Sequence, residues 1–175
     1  LVLGDDVTEE ARLQTVDLLG RTVLSHACRC SSPDAVEKVT LLLQYEAVDV
    51  NVLDNTGESP LMHQVCSQRK VNNSTDDAIN MELLQLLLAS PRCDVNLKGT
   101  KRRKLTAFEL ACSVGNVEAA RTILASGRLN LTTLQATLLT STVALGHLSV
   151  VELLLSCPDI VSSQIDARGA DCRTA

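Results

Sequence analysis

Aromatic residues are almost missing from this chain: among its 175 residues there are one Tyr, one Phe and no Trp. Proteins that hold single-stranded nucleic acid do so largely by stacking its bases on aromatic side chains. Tyr45 and Phe108 are too few to form such a platform, so no nucleic acid is expected as a partner. The hydrophobic core must instead be built from aliphatic side chains.

Long hydrophobic runs and a large charge of one sign are also lacking. No stretch approaches the ~18 consecutive apolar residues that a membrane-spanning helix needs, and none has the pattern of a signal peptide. The formal net charge of −5 gives no general reason to expect a polyanionic partner. With 45% hydrophobic and 21% charged residues, the composition is that of an ordinary globular protein. The length suits about one domain.

The cysteines do not suggest a disulfide framework. Their number is odd, and their spacing is irregular for so long a chain. A free thiol in apolar surroundings behaves as a small hydrophobic residue. We therefore expect reduced thiols and an intracellular protein. The seven positions are Cys28, Cys30, Cys66, Cys93, Cys112, Cys157 and Cys172.

Short motifs recur along the chain at related intervals. A leucine triplet ends an amphipathic run at residues 41–43, 86–88 and 153–155. Asp-Val-Asn follows the first two triplets, at residues 49–51 and 94–96, and begins six residues after the triplet in both cases. Self-similarity of this kind is typical of a solenoid, in which one small unit is repeated.

A second motif precedes the helical runs. After two intervening residues, Asp17 is followed by Gly20, and Asp54 is followed in the same way by Gly57. This spacing indicates a tight turn, in which Gly adopts a positive φ without steric cost. Hydroxyl residues that can cap a short helix come next, at Thr22, Ser59 and Thr106. Each unit is thus predicted to be a turn and two antiparallel helices, which must stack to bury their apolar faces.

Taken together, these motifs resemble the ankyrin repeat family, whose pattern runs D-x-x-G-x-T-P-L-H-x-A-A, then G-H, then V-V-x-L-L-L, then A-D-V-N. Gly146-His147 and the leucine triplet at residues 153–155 match the later part of that pattern. The resemblance covers nearly the whole chain. It implies an all-α solenoid of stacked helix-turn-helix units. In that family the turns project along one edge, and partners usually dock on a concave face lined by the first helices.

The resemblance divides the chain into unequal units, and we expect the chain to be part of a longer array. A polar surface loop is predicted near residues 67–80, and a basic turn is predicted in the third repeat. The core is expected to be led by Leu24, Leu42, Leu61, Leu87, Phe108, Ala111, Leu124 and Leu154. The predicted boundaries are 1–16 for the tail of a preceding repeat or a capping helix, 17–53 for repeat 1, 54–96 for repeat 2, 97–131 for repeat 3, 132–161 for a degenerate repeat 4 and 162–175 for the start of a truncated fifth.

Motifs of catalysis are missing. The chain contains no G-x-S-x-G nucleophile elbow, no glycine loop that cradles phosphate and no H-E-x-x-H metalloprotease motif. We therefore predict that it is not an enzyme and that it needs no cofactor.

The best metal candidate combines two His–Cys sets. His26 precedes Cys28 and Cys30, and His63 precedes Cys66 at a helical spacing. Zinc would need such ligands close together, but packed helices lie about 10 Å apart and neither set has zinc-finger spacing. We therefore predict two hydrogen-bonded, semi-buried histidines, apolar thiols and no bound metal.

The basic run at residues 101–104 is the most unusual local feature. Its Lys and Arg side chains suit an acidic or phosphorylated partner. The same run has the composition of a nuclear-import signal or of a contact with anionic lipid, and a solvated turn with no binding role remains an alternative. By position, Lys101 and Lys104 take the places of the Asp and the Gly of the turn.

The resemblance implies a non-catalytic protein–protein interaction module of a larger, cytoplasmic protein. The alternative is an intramolecular regulatory or structural array of a multidomain enzyme or channel, whose activity lies outside this chain. An exposed Leu18-Leu19 pair would suit a hydrophobic contact, unless the pair is buried against residues 1–16. The family pattern implies partner contacts at Leu18, Leu19, Arg21 and Arg29 in the first unit, at Asn55, Thr56 and Glu58 in the second, and at Lys101, Arg102, Arg103, Lys104, Leu105 and Ser113 in the third.

Overall fold

The computed structural model describes residues 13–30, 32–67, 74–101, 104–131, 134–135 and 137–164. These residues form an all-α structure, as the sequence predicted. Apart from one isolated bridge between Val16 and Thr22, the described ranges contain no β pairing, and none of their helices is long and apolar enough to cross a membrane. The helices are α1 Val23–Arg29, α2 Ala35–Gln44, α3 Pro60–Ser67, α4 Ser74–Ala89, α5 Ala107–Val114, α6 Val117–Ala125, α7 Leu138–Ala144, α8 Leu148–Leu155 and α9 Pro158–Gln164.

The helices pair within units and stack between units. Helix α1 packs on α2, α3 on α4, α5 on α6, and α7 on α8. Along one layer α1 contacts α3, α3 contacts α5, and α5 contacts α7, while the second layer runs through α2, α4, α6 and α8 in the same order. Each helix pair therefore buries its apolar side chains against its neighbours along the chain, with α9 packed on α8.

The predicted hydroxyl caps are confirmed at the starts of the first-layer helices. The Thr22 hydroxyl accepts a hydrogen bond from the Ser25 N–H at 3.2 Å, and the Ser59 hydroxyl accepts one from the Met62 N–H at 3.4 Å. At the start of α5, Thr106 and Glu109 form a reciprocal capping box, in which each side chain accepts a bond from the other residue's N–H. These caps satisfy N–H groups that a helix leaves unpaired in its first turn.

The predicted surface loop near residues 67–80 is wrong over its second half. Helix α4 begins at Ser74, so residues 74–80 are helical, and Asn80 is buried. Residues 68–73 lie outside the described part of the chain. Polar composition was misleading here, because acidic residues such as Asp77 are favoured in the first turn of a helix by its dipole.

The core contains six of the eight side chains that the sequence placed in it: Leu24, Leu61, Leu87, Phe108, Ala111 and Leu154. The prediction is wrong for Leu42 and Leu124, which are only partly buried. In α6 the error is one residue of register, since Ile123 is fully buried in place of Leu124. In α2 the fully buried side chains are Ala35 and Val39.

Two arginines join successive units through the ends of the second-layer helices. The Arg92 guanidinium donates to four backbone carbonyls beyond and within the last turn of α2, those of Leu43 (2.7 Å), Tyr45 (3.2 Å), Glu46 (3.1 Å) and Val48 (2.8 Å). Arg128 does the same one unit later, donating to Leu88 and Ser90 (both 2.9 Å), Pro91 (3.3 Å) and Cys93. Carbonyls at a helix C-terminus lack intrahelical partners, so each arginine satisfies the end of the preceding unit.

Two asparagines reinforce the same joints. Asn51 donates from Nδ2 to the Arg92 carbonyl at 2.8 Å, and its Oδ1 accepts a hydrogen bond from the Asp94 N–H, also at 2.8 Å. Asn96 donates in the same way to the Arg128 carbonyl at 3.0 Å and accepts from the Asn130 N–H at 2.7 Å. These are the asparagines of the Asp-Val-Asn motif, so the sequence repeat is matched by a repeated contact.

Candidate protein-interaction surface

One closing hydrogen bond is repeated before α1, α3 and α5. We refer to residues 17–20 and 54–57 as turns 1 and 2, and to the pair Lys101 and Lys104, which this bond joins, as turn 3. In each turn the last residue's N–H donates to the first residue's carbonyl, at 2.9, 2.8 and 3.2 Å respectively. The last residue has a positive φ in every case, 72° at Gly20, 81° at Gly57 and 47° at Lys104. Lys101 and Lys104 therefore stand where the alignment placed them, in the positions of the Asp and the Gly.

Backbone hydrogen bonds join the three turns edge to edge. The Asn55 N–H donates to the Leu19 carbonyl at 2.8 Å, and the Asn55 side chain donates to the Leu18 carbonyl at 3.0 Å. The Thr100 N–H donates to the Gly57 carbonyl at 3.2 Å. A Cβ on Gly57 would lie only 2.7 Å from the Lys101 nitrogen, so glycine is needed for this close approach. We call this connected edge the turn ledge.

Within turn 2, the Asp54 carboxylate organises the chain. Its Oδ1 accepts bonds from the Thr56 hydroxyl, the Thr56 N–H (2.8 Å) and the Glu58 N–H (3.2 Å), while His63 Nε2 donates to Oδ2 at 3.0 Å. Burial alone would raise the pKa of Asp54, but these hydrogen bonds outweigh it and hold the pKa below its usual value. The ionised carboxylate is therefore a fixed structural charge.

Turn 1 repeats this arrangement at the surface. His26 Nε2 donates to Asp17 Oδ2 at 2.9 Å, and the hydrogen bond from the Arg21 N–H holds the pKa of Asp17 below its usual value, although burial acts against it. The predicted hydrogen-bonded histidines are thus confirmed, although His63 is fully buried and His26 is exposed rather than both being semi-buried. No group of three or more metal-ligating side chains occurs among the described residues.

Arg29 and Glu58, both predicted to contact a partner, converge on His63. Arg29 Nη1 lies 3.4 Å from His63 Nδ1, and Glu58 Oε2 lies 3.3 Å from the same nitrogen. Arg29 comes from α1 and His63 from α3. The contact therefore links α1 to α3. It also engages one guanidinium nitrogen of Arg29 that could otherwise bind a partner.

A cavity of about 240 Å³ opens between the turn ledge and the first-layer helices. It gathers five of the predicted contact residues, namely Thr56, Glu58, Lys101, Lys104 and Leu105. We call it the ledge cavity. The structure thus brings the second and third sets of predicted residues to one place.

The apolar side chains that form the floor of the ledge cavity were not among the residues predicted from the sequence. Met62 and Cys66 come from α3, and Leu110 and Val114 come from α5. Each pair is four residues apart, and side chains at this spacing share one face of a helix. The four-residue spacing of these side chains could have been recognised in the sequence. Many other apolar pairs share that spacing, however, and only the packing of α3 and α5 against the turns shows which pairs line the cavity.

A second cavity, of about 400 Å³, lies further along the first layer. It is lined by two predicted residues, Leu105 and Ser113, together with Glu109, Gln135, Leu138, Ser141, Ala144 and Leu145. Leu105 lines both cavities, so they adjoin at this side chain. Glu109 is buried, and its carboxylate accepts a bond from the Gln135 N–H at 2.5 Å, which ties α5 to the segment before α7.

The remaining predicted residues do not line either cavity. Leu18 is 98% exposed and Leu19 is 48% exposed, so residues 13–16 do not bury the pair. Arg21 is half-buried at the base of turn 1, and Asn55 is exposed on the turn ledge. Arg102 and Arg103 lie outside the described residues.

Comparison with known proteins gives one weak relationship. No family model matches the chain. The chain is similar to the human SMC5-SMC6 complex localization factor protein 1, with 33% identity over 122 residues. This stretch is 69% of the chain but only 10% of the relative, so the chain spans about a tenth of that protein's length.

Proposed function

We propose that the chain is an ankyrin-repeat solenoid that serves as a non-catalytic protein-interaction module of a larger intracellular protein. The observation that carries this proposal is the exact repetition of contacts between units. Arg92 and Arg128 close the ends of successive second-layer helices, and Asn51 and Asn96 bridge the same joints. A stack built from one repeated joint presents an extended ledge and groove, which suits a partner longer than a small molecule.

Gln14 supports the proposed boundaries at the beginning of the array. Its side chain donates to the Ala47 carbonyl at 3.3 Å, just as Asn51 donates to the carbonyl of Arg92. Gln14 therefore occupies the position of the motif asparagine in a unit before the first turn. This favours residues 1–16 as the tail of a preceding repeat.

The thiols support a binding role over a catalytic one. Burial raises the pKa of Cys28 and of Cys112 to about 12 and that of Cys93 to about 11. A thiol is an effective nucleophile only as the thiolate, so these three cysteines serve the core. The exposed side chains of the turn ledge include two leucines, two lysines, an amide, a hydroxyl and the Asp17 carboxylate, a mixture that suits recognition of a protein.

The name of the similar human protein favours a protein as the partner. It describes a protein that localises a complex, and we carry this to the chain as a proposal. The partner is then a protein, either of that complex or of the place to which it is brought. The turn ledge and the ledge cavity supply the contact surface.

Site-specific photo-crosslinking tests the proposal. A photoreactive phenylalanine analogue placed at Leu18 or Lys101 should capture a discrete partner protein in cells, since both side chains are exposed on the turn ledge. The matched control is the same analogue at Arg121, which is exposed on α6 in the other layer. Equal capture at all three positions, or capture at Arg121 alone, would contradict docking on the turn ledge.

A further inference from the structure

Two lysines lie at the mouth of the ledge cavity. Lys101 and Lys104 are exposed and line the mouth. Among the described residues, neither forms an ion pair with a carboxylate. The one carboxylate of the cavity lining, Glu58, already lies 3.3 Å from His63 Nδ1. Two lysines and one glutamate leave a net positive charge above an apolar floor.

The backbone of Lys104, at the mouth of the ledge cavity, is in a strained left-handed conformation. It is the one non-glycine residue with a positive φ among the described residues, and glycine occupies the same position in turns 1 and 2. The left-handed conformation is sterically unfavourable for an ordinary residue. Strain of this kind is found where a side chain is needed for recognition. A glycine would be easier for the fold and would remove the charge.

We propose that the ledge cavity binds a partner segment in which an apolar side chain stands beside an aspartate or glutamate. This inference rests on the proposed interaction function. The apolar side chain enters between Met62 and Leu110, and the carboxylate meets Lys101 and Lys104. Burial of the apolar group provides the affinity, and the two ammonium groups fix the position of the segment and steer its approach.

A carboxylate fits this mouth better than a phosphate. Glu58 lines the same cavity as the two lysines and adds a negative charge to it. A phosphate monoester carries close to two negative charges at neutral pH, whereas a carboxylate carries one, which balances the net charge of these three described groups. Phosphoserine in place of the acidic residue is therefore expected to bind less well.

Selection of short random peptides displayed on phage against the folded chain tests the ligand class. We expect enrichment of sequences in which Asp or Glu neighbours Leu, Ile, Met or Phe. The selected peptide is then synthesised with the acidic residue, with the corresponding amide and with phosphoserine, and each affinity is measured by fluorescence anisotropy. Basic peptides, or an amide version that binds equally well, would overturn the proposal, and tighter binding of phosphoserine would overturn the choice of carboxylate.

The variant Lys104→Gly tests the site itself, because its two effects have opposite signs. Removal of strain should raise Tm by about 2–4 °C, while loss of the ammonium group should weaken peptide binding about fivefold. The matched control is Lys98→Gly, which makes the same chemical change at an exposed lysine outside the cavity lining. It should leave the affinity unchanged and should not raise Tm. Equal loss of affinity in both variants would show a general charge effect and would refute the site.

Cys66 reports directly on occupation of the cavity. The thiol is half-buried in the cavity floor, and Cys30 is an exposed thiol outside it. The selected peptide should slow alkylation of Cys66 by iodoacetamide and leave Cys30 unchanged, as read by mass spectrometry. A peptide that binds without protecting Cys66 docks elsewhere, which sinks this inference but leaves the interaction function standing. Failure of any peptide to bind refutes the ledge cavity as a peptide site, while the crosslinking experiment tests the function separately.

Discussion

At the scale of single residues, the same Asp–His hydrogen bond occurs twice, once buried and once exposed. Asp54 with His63 and Asp17 with His26 make the same carboxylate–imidazole bond, and both carboxylates also accept backbone N–H groups of their turns. The first pair is buried and the second is exposed. Because water competes with exposed hydrogen bonds and screens exposed charges, the buried copy must contribute more to stability.

Replacing the buried carboxylate should destabilise the protein in a pH-dependent way. We expect Asp54→Asn to lower the free energy of unfolding at pH 7 by about 1–3 kcal/mol, since an amide cannot accept all of the bonds. The pKa of Asp54 is lower in the folded state. Its contribution is therefore full above the unfolded value, near 3.8, and is lost as pH falls through the folded pKa. Urea unfolding at several pH values from 7 down to about 2 should show the two proteins converging below pH 3.8.

Asp17→Asn is the matched control for this experiment. It removes the same type of carboxylate from turn 1, where the group is exposed, so its loss of stability at pH 7 should be clearly smaller. A constant difference between wild type and Asp54→Asn at every pH would mean that ionisation of Asp54 does not stabilise the fold.

At the scale of helices, the ends of the second-layer helices hold the stack together as much as their apolar faces do. A C-terminal carbonyl that loses its partner remains desolvated at the joint between units. Arg92 and Arg128 serve four such carbonyls each, and their planar guanidinium groups suit a cluster of acceptors better than an ammonium group does. The joints therefore resist separation by polar contacts as well as by burial.

Removing one arginine should weaken one joint. We expect Arg92→Ala to lower the free energy of unfolding by about 2–4 kcal/mol, because hydrogen bonds from a charged donor are lost and carbonyls are left unsatisfied. Arg92→Lys should cost less, since it keeps the charge and part of the contact. The measurement is equilibrium unfolding in urea. Arg121→Ala, on the exposed surface of α6, should change stability by no more than about 0.5 kcal/mol, and a similar loss in both alanine variants would contradict a role for the joint.

At the scale of the whole molecule, contacts run mainly between neighbouring helices. Helix α3 packs on α1 and α5, and α5 packs on α3 and α7, so the middle of the stack has a neighbour on both sides. Stability in such an array is a sum of units and joints, and an end unit opens more easily than an inner one. The buried thiols lie at different positions along this stack, so their reactivity can show where it opens.

Thiol labelling should show the stack opening from its end. In native buffer at pH 8 we expect Cys30 to react with iodoacetamide and Cys28, Cys93 and Cys112 to remain unmodified, because burial raises the pKa of all three buried thiols. As urea is added, Cys28 of α1 should be labelled at a lower concentration than Cys112 of α5. Mass spectrometry of digested samples gives both midpoints, and coincident midpoints would show a single cooperative transition instead.

Local patterns correctly predicted the features that depend on neighbours in sequence, namely turns and helix starts. The caps at Thr22 and Thr106 and the positive φ at Gly20 and Gly57 follow from the bonding needs of a single turn. The same alignment correctly placed Lys104 in a glycine position, although the pattern gave no reason to expect strain there. Polar composition was a poor guide at residues 74–80, because a polar segment can also start a helix.

The turns and the helix starts depend on bonds within a few residues, so they can be predicted from the amino-acid sequence alone. Which side chains meet across neighbouring helix pairs depends instead on how the stack packs. The tertiary structure placed Ile123 rather than Leu124 in the core, joined Arg92 to the carbonyls of the preceding helix, and brought Met62 and Leu110 beneath Lys104. Such contacts depend on helix register and on the distance between stacked units, and a one-residue shift turns a helical side chain by about 100°. Periodicity marks an apolar stripe, but packing against the next unit chooses the residue within it.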